Sequence, residues 1–266
     1  MGILNVTPDS FSDGGRHFDP EATLARALQM EAEGADLIDV GGESTRPGSA
    51  GVPLDEEVRR VIPAIERMAK ALRIPISVDT AKAGVAERAL AAGASIINDV
   101  TALRGDPRMA DVAAKAKARV ILMHMRGTPR TMQRRIRYRD VVAEVRAFLQ
   151  EALARAAAQG IARSRLLVDP GLGFGKTVAH NLALMRSLDR FVSLGVPVVV
   201  GPSRKSFIGA VLEADIEDRL AGTLACVAQA QRCGVSMVRV HDVKPAVQLI
   251  RMLTAIRHKS HVTSHK

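Results

Sequence analysis

Eight short apolar runs in this chain end in polar or ionisable residues, and the types suit capture of a flat heterocycle and a phosphate group. The runs are "GILNV", "LIDVGGES", "PISVDT", "SIINDV", "VILMH", "LLVDPG", "PVVVGPS" and "SMVRVHDV". At or just past their ends stand Asn5 and Asp9, Glu43 to Arg46, Asp79, Asn98 with Asp99, His124, Asp169, Ser203 to Ser206, and Arg239 to Asp242. Arg204 and Lys205 leave the seventh run, and Arg239 and His241 leave the eighth. A planar guanidinium fork and a point-charge ammonium both match phosphate oxygens, so this side reads as an oxyanion pocket. On the opposite side Asp79, Asn98 and Asp169 end the third, fourth and sixth runs. Carboxylates and an amide projecting together can accept from and donate to a ring with several N–H groups. A carboxylate pair for general acid–base work, and plain capping of the next helix, are the other readings of these three.

The stretch "DPGLGFGKT", residues 169–177, invites a different idea, because three glycines lead into Lys176 and Thr177. A phosphate-cradling P-loop needs a glycine five residues before the one that precedes the lysine. Here that position is Pro170, which has no N–H to offer and a fixed φ. The glycines instead suggest a backbone that passes close beneath a ligand. No Cys/His ligand spacing is present, and His124 and His241 come from distant runs, which argues against zinc. Mg2+ needs only one or two oxygen ligands plus phosphate and water, and Asn5 with the acids of "TPDSFSDGG" could serve. The glycines and serines of that stretch also suit a loop that closes over the site.

Elements must hold these residues together. Between the apolar runs lie amphipathic segments rich in Ala, Leu, Glu and Arg, such as "PEATLARALQMEAEGA" and "LDEEVRRVIPAIERMAKAL". Continuous apolar strands alternating with helices imply a parallel sheet with right-handed crossovers. Asp19 before Pro20 reads as a helix N-cap followed by proline in the first turn. Gly34, Gly93, Gly160, Gly195 and Gly234 read as helix C-terminal glycines. Eight such units in about 250 residues predict a single-domain α/β fold, a (β/α)8 TIM barrel, whose chemistry collects where strands end. An open doubly wound sheet is the alternative, but its dinucleotide loop does not follow the first run.

The chain has 266 residues, 47% hydrophobic and 25% charged, enough for a full core without staples. Cys226 and Cys233 are about 10 Å apart on a helix, too far to bridge, and two free thiols fit a reducing cytoplasm. No secretion-type leader opens the chain and no apolar run reaches about 18 residues, so no membrane association is expected. The net charge of +10 draws on six arginines between Arg126 and Arg139 and on a basic tail, "RHKSHVTSHK". This reads as a basic surface loop with a tail, or as steering of anionic small molecules. Nucleic acid is not expected as a partner, since an aromatic content of 3% leaves few stacking platforms.

The blocks "MGILNVTPDSFSDGG", "DVGGESTRPG", "ISVDT", "INDV", "DPGLGFGK", "SRKS" and "RVHDV" occur in order and closely resemble the signature blocks of the dihydropteroate synthase family. The resemblance runs from Met1 to about His258. It implies a pterin-binding barrel over residues 1–258, with 259–266 as a basic tail expected to be disordered. It implies a transferase of folate biosynthesis that condenses p-aminobenzoate with (7,8-dihydropterin-6-yl)methyl diphosphate, releasing diphosphate. By the same resemblance Asp79, Asn98, Asp169 and Lys205 bind pterin, while Asn5, Arg239 and His241 bind diphosphate. Catalysis would fall to Asn5, Lys205, Arg239 and His241, and Mg2+ to Asn5 and Asp13. Phe11, Thr45, Arg46, Pro47 and Ser206 would shape the p-aminobenzoate site, where sulfonamides act as mimics, and the assembly would be a cytoplasmic homodimer. The chain departs from the family in starting directly on its first strand, in Leu172 and Pro202, and in the basic "RRIRYRD". A methyl-transferring pterin binder is a rival reading, but it need not keep "TPDSFSDGG" or "SRKS" together with "RVHDV". A catalytically silent barrel is another, against which every proposed catalytic position is filled by the expected type.

Overall fold

The structure is a computed structural model that describes residues 1–6, 20–44, 48–49 and 51–257. Phe11, Asp13, Thr45, Arg46, Pro47, the proposed cap Asp19 and the tail lie outside the described residues.

Among the described residues eight parallel strands form the core: β1 (Gly2–Asn5), β2 (Ile38–Gly41), β3 (Ile76–Asp79), β4 (Ile96–Asp99), β5 (Arg119–Met123), β6 (Leu166–Asp169), β7 (Val199–Val200) and β8 (Met237–Val238). Strands β1 to β6 pair in chain order, and β7 pairs with β8. Single parallel bridges, Val168 with Val198 and Gly2 with Val240, join the two sheets at both sides. The backbone bonds there are full length: Val168 N–H to Pro197 O at 3.0 Å and Ile3 N–H to Val240 O at 2.9 Å. Each strand therefore has two neighbours, as the barrel expectation required.

Helices alternate with the strands: α1 (Pro20–Ala32), α2 (Leu54–Ala71), α3 (Ala83–Ala91), α4 (Met109–Lys115), α5 (Val141–Ala158), α6 (Val178–Arg186), α7 (Asp189–Val192), α8 (Ser206–Leu212), α9 (Leu220–Arg232) and α10 (Val243–Arg257). Helix α1 begins at Pro20, where the sequence placed it, and all five glycines expected to end helices have positive φ. Gly93 shows why one is needed. Its φ is +114°, and a Cβ there would sit 2.5 Å from Ala69 Cβ on the neighbouring helix.

Register and the two-residue side-chain period then place the site. Asn5, Gly41, Asp79 and Asn98 are successive ladder partners, as are Met123 and Asp169, so these strands end level with one another. Counting back by two from each end gives the layer beneath. Ile96, Ile121 and Leu167, one such step below Asn98, Met123 and Asp169, and Met1 and Leu37, two steps below Asn5 and Gly41, form with Val199 their own buried cluster, apart from the main core between strands and helices. The barrel is plugged by hydrocarbon below and carries its polar residues above, on a floor that cannot shift easily.

Candidate active site

Arg239 holds the centre of that polar layer. It stands just past β8, donates from Nε to Asp39 Oδ2 at 2.6 Å and from Nη2 to Asp79 Oδ2 at 2.8 Å. Asn98 donates from Nδ2 to the same Asp39 oxygen at 3.1 Å. Strands β2, β3, β4 and β8 are thus cross-linked through one guanidinium and two carboxylates. Asp39 is wholly buried and its other oxygen has no partner among the described residues. Burial pushes the Asp79 carboxyl up to about 7, with Arg239 opposing and Asp39 adding to the rise. This geometry corrects one expectation: the mouth is not divided into a cationic side and an acidic side, because Arg239 reaches across and joins them.

Strand β6 supplies the other half of the floor. Asp169 is buried, accepts from Gly171 N–H at 2.7 Å, and has its pKa raised by burial, with Lys205 opposing. Lys205 precedes α8, donates to the Leu172 carbonyl, and sits 4.7 Å from the centre of the Phe174 ring. Burial brings its pKa down to about 8, and Asp169 resists that fall. The "GLGFGK" loop wraps Lys176, whose Nζ donates to the carbonyls of Gly171 at 2.8 Å and Phe174 at 3.0 Å and lies 2.9 Å from His124 Nδ1. Burial holds Lys176 well below the usual lysine range and pushes His124 down to about 2, so the imidazole is neutral. Thr177 accepts from His180 N–H at 3.2 Å and caps α6. Nothing here is a P-loop. The glycines also do less for a ligand than expected, since a Cβ at Gly171 would fall 1.9 Å from the His124 carbonyl oxygen and one at Gly175 2.6 Å from that of Arg126. Two of the three let the chain pack against the segment leaving β5, while Gly173 faces Lys205.

The rest of the polar layer is assembled from the ends of β1, β7 and β8. Ser203 Oγ lies 2.9 Å from His241 Nδ1 and accepts from His241 N–H at 3.2 Å, which fixes the ring. Arg26 of α1 donates to the His241 carbonyl at 3.0 Å. Gly41 lacks a side chain where a Cβ would make ordinary contact with Asp79 Cβ at 3.5 Å and Asn5 Oδ1 at 3.8 Å, so methyl-sized room lies between those two groups. Ser206 opens α8, exposed, directly after Lys205. Two residues fail to join. Arg204 forms a two-pronged pair with Asp242, at 3.0 and 2.6 Å, outside the floor. Asp99 accepts from the backbone of Thr101 and Leu103, both at 2.8 Å, and holds a tight turn.

Residues 1–241 match the family model described as pterin binding enzyme. The dihydropteroate synthase of Escherichia coli K12 is 48% identical over 255 residues, covering 96% of this chain and 90% of its own. A solved structure of Xanthomonas albilineans dihydropteroate synthase with 4-aminobenzoic acid superposes with a TM-score of 0.92 at 48% identity, covering 97% of this chain and 93% of that one. The Yersinia pestis enzyme, solved as a sulfonamide drug complex, gives 0.92 at 44% identity, covering 96% and 93%. The chain belongs to the dihydropteroate synthase family.

Of the residues that the family resemblance assigns to pterin, Asp79, Asn98, Asp169 and Lys205 all meet in the floor. Of those assigned to diphosphate, Asn5, Arg239 and His241 stand at neighbouring strand ends. Among the aminobenzoate residues only Ser206 is described. The base of the β2–α2 loop is visible nonetheless. Lys82 donates to Glu43 at the loop's start and to Glu57 inside α2, whose other oxygen is buried without a partner among the described residues. Arg60 donates to the Gly42 carbonyl at 3.0 Å, and Ser49 Oγ to the Ser44 carbonyl at 2.5 Å. Sequence reasoning missed Asp39, Lys82 and Glu57. Asp39 had a readable signal, a carboxylate two residues before the end of a strand buried on both faces, which must point either into the barrel or into the core.

Proposed function

We infer that this chain transfers the dihydropterin-methyl group from its diphosphate ester to p-aminobenzoate, giving 7,8-dihydropteroate and diphosphate in folate biosynthesis. The observation that carries this reading is the single network from Asn98 through Asp39 and Arg239 to Asp79, with Asp169 and Lys205 beside it. It offers a planar ring two carboxylates, an amide and an ammonium in one buried layer. Asp79 and Asp169 accept from the ring's N–H groups, Asn98 fixes its edge, and Lys205 donates to a ring acceptor. The amine nitrogen attacks the methylene carbon as the C–O bond breaks, the electron pair leaves with diphosphate, and the nitrogen's extra proton passes to solvent. Arg239 and His241 stabilise the charge that gathers on the leaving group. Burial of the ring excludes water from the methylene and so favours the amine over hydrolysis.

Asn5 Oδ1, beside the space that Gly41 leaves open, fits a hard cation that takes its remaining ligands from diphosphate, water and Asp13. Mg2+ bound there would neutralise charge on the leaving group. The reading also includes a homodimer, supported by exposed Val211, Leu212, Ile216 and Leu220 around the end of α8, and a cytoplasmic setting, supported by two free thiols. Sulfonamides should compete with p-aminobenzoate, with Phe11, Thr45, Arg46, Pro47 and Ser206 shaping that site.

Purified protein given the dihydropterin diphosphate, with and without p-aminobenzoate and Mg2+, tests the reading. Diphosphate release that needs both, matched by dihydropteroate, supports it. Tight ester binding with no product would leave a pterin binder of another kind.

A further inference from the structure

Six arginines, Arg126, Arg130, Arg134, Arg135, Arg137 and Arg139, crowd the segment between β5 and α5. Little opposes their charge. Asp140 caps α5, accepting from Val142 and Ala143 N–H at 3.0 Å each, and Glu144 binds the backbone of Arg139 and Asp140 while lying 3.5 Å from Arg126. Among the described residues the other five arginines form no ion pair. A surface normally intersperses charges of both signs, so an unopposed cluster of this size implies anions in its field.

The cluster is also held in place. Met132 is buried against Met123 and Met125 beneath the loop. Gln133 donates to the Gly173 carbonyl at 2.8 Å, beside the loop that faces Lys205, and Gly48 N–H donates to the Pro129 carbonyl at 3.0 Å. The basic loop therefore bridges the β6–α6 and β2–α2 loops at the rim of the mouth. Arg126, Arg134 and Arg135 meet around a hollow of about 260 Å³ lined also by Thr131.

We propose that this loop is an anion-capture surface: it draws the diphosphate ester to the mouth and hands it down to Arg239 and His241. The proposal rests on the function inferred above, because it takes the ester as the anion. It assigns the arginines to association only. Among the described residues none of them bonds to Asp39, Asp79, Asp169, Lys205 or Arg239, so turnover should not depend on them.

The test is the association rate of the dihydropterin diphosphate, followed by pterin fluorescence, for the parent and for Arg130→Gln/Arg134→Gln/Arg137→Gln. Rates are taken at about 0.02 M and about 0.5 M salt, which differ several-fold in screening length. The uncharged dihydropterin alcohol is the control, and single Arg134→Gln serves if the triple variant unfolds. The expected result is a rate lower by roughly 3- to 10-fold at low salt, converging with the parent at high salt, with kcat and the alcohol unaffected. An unchanged rate and salt slope in an active variant overturns the capture role and leaves the function standing. A parent that binds the ester but makes no dihydropteroate overturns the function, while the rates still decide the capture. A parent that does not bind the ester overturns both.

Discussion

The floor and the rim of this barrel hold charge in opposite ways. On the floor, Arg239 is matched by Asp39 and Asp79, Lys205 faces Asp169, and each charged group is at least half buried between strand ends. At the rim, five arginines stand exposed with no carboxylate partner among the described residues, on a loop tied down by Met132 and two hydrogen bonds. Buried charge must be paired or it destabilises the fold, and pairing fixes geometry well enough to recognise one ring. Exposed charge need not be paired, and it acts over a Debye length rather than through contact. Recognition and capture thus fall to different parts of the molecule.

Removing the floor's central cation is the harshest way to break the comparison. Arg239→Met leaves two buried carboxylates without a counter-charge, and urea unfolding should show a loss of about 3 kcal/mol together with lost turnover. An unchanged midpoint would mean the network does not support the fold, and Arg239→Lys should recover part of the stability. Next comes Asp79→Asn, which keeps the Arg239–Asp39 pair and removes only a charged acceptor. Steady-state kinetics should give a kcat/KM for the ester lower by roughly 10- to 100-fold, with stability kept. A parallel fall in stability would merge the two effects and sink the distinction.

The pH profile sharpens the same point. The carboxyl of Asp79 must be ionised to accept from the ring, so kcat/KM should climb through about 7. Lys205 must keep its proton to donate, so the rate should fall as pH passes about 8. The outcome is a narrow bell for the free enzyme, and a flat profile from 6 to 9 would contradict both assignments. Smaller again is the effect of Lys82→Met, which unties Glu43 from α2. A several-fold rise in KM for p-aminobenzoate is expected with ester affinity unchanged. Equal changes in both would show that the tie serves the fold rather than the loop.

Much of this arrangement could be read from the residues. Eight apolar runs announced the barrel because parallel strands are buried on both faces, and their level ends brought Asp79, Asn98 and Asp169 together. Pro170 alone was enough to refuse the P-loop. Pairing was harder to foresee. Arg204 and Arg239 look alike in sequence, yet one turns out to Asp242 and the other inward to Asp39. Strand register and the parity of each side chain decide that, and neither is written in residue type. Asp39 does not end its run, and only the two-residue period puts position 39 one step below position 41 on the same inner face. Asp99 misled for the converse reason: it ends a strand but points away from the floor, where a turn needs it.

The most direct measurement is the yield of dihydropteroate and diphosphate from the two substrates, for the parent and Asp79→Asn side by side. The account predicts equal amounts of both products from the parent, and a folded variant slower by at least an order of magnitude. Diphosphate formed without p-aminobenzoate, or an Asp79→Asn protein as fast as the parent, would contradict a floor built to read the pterin ring.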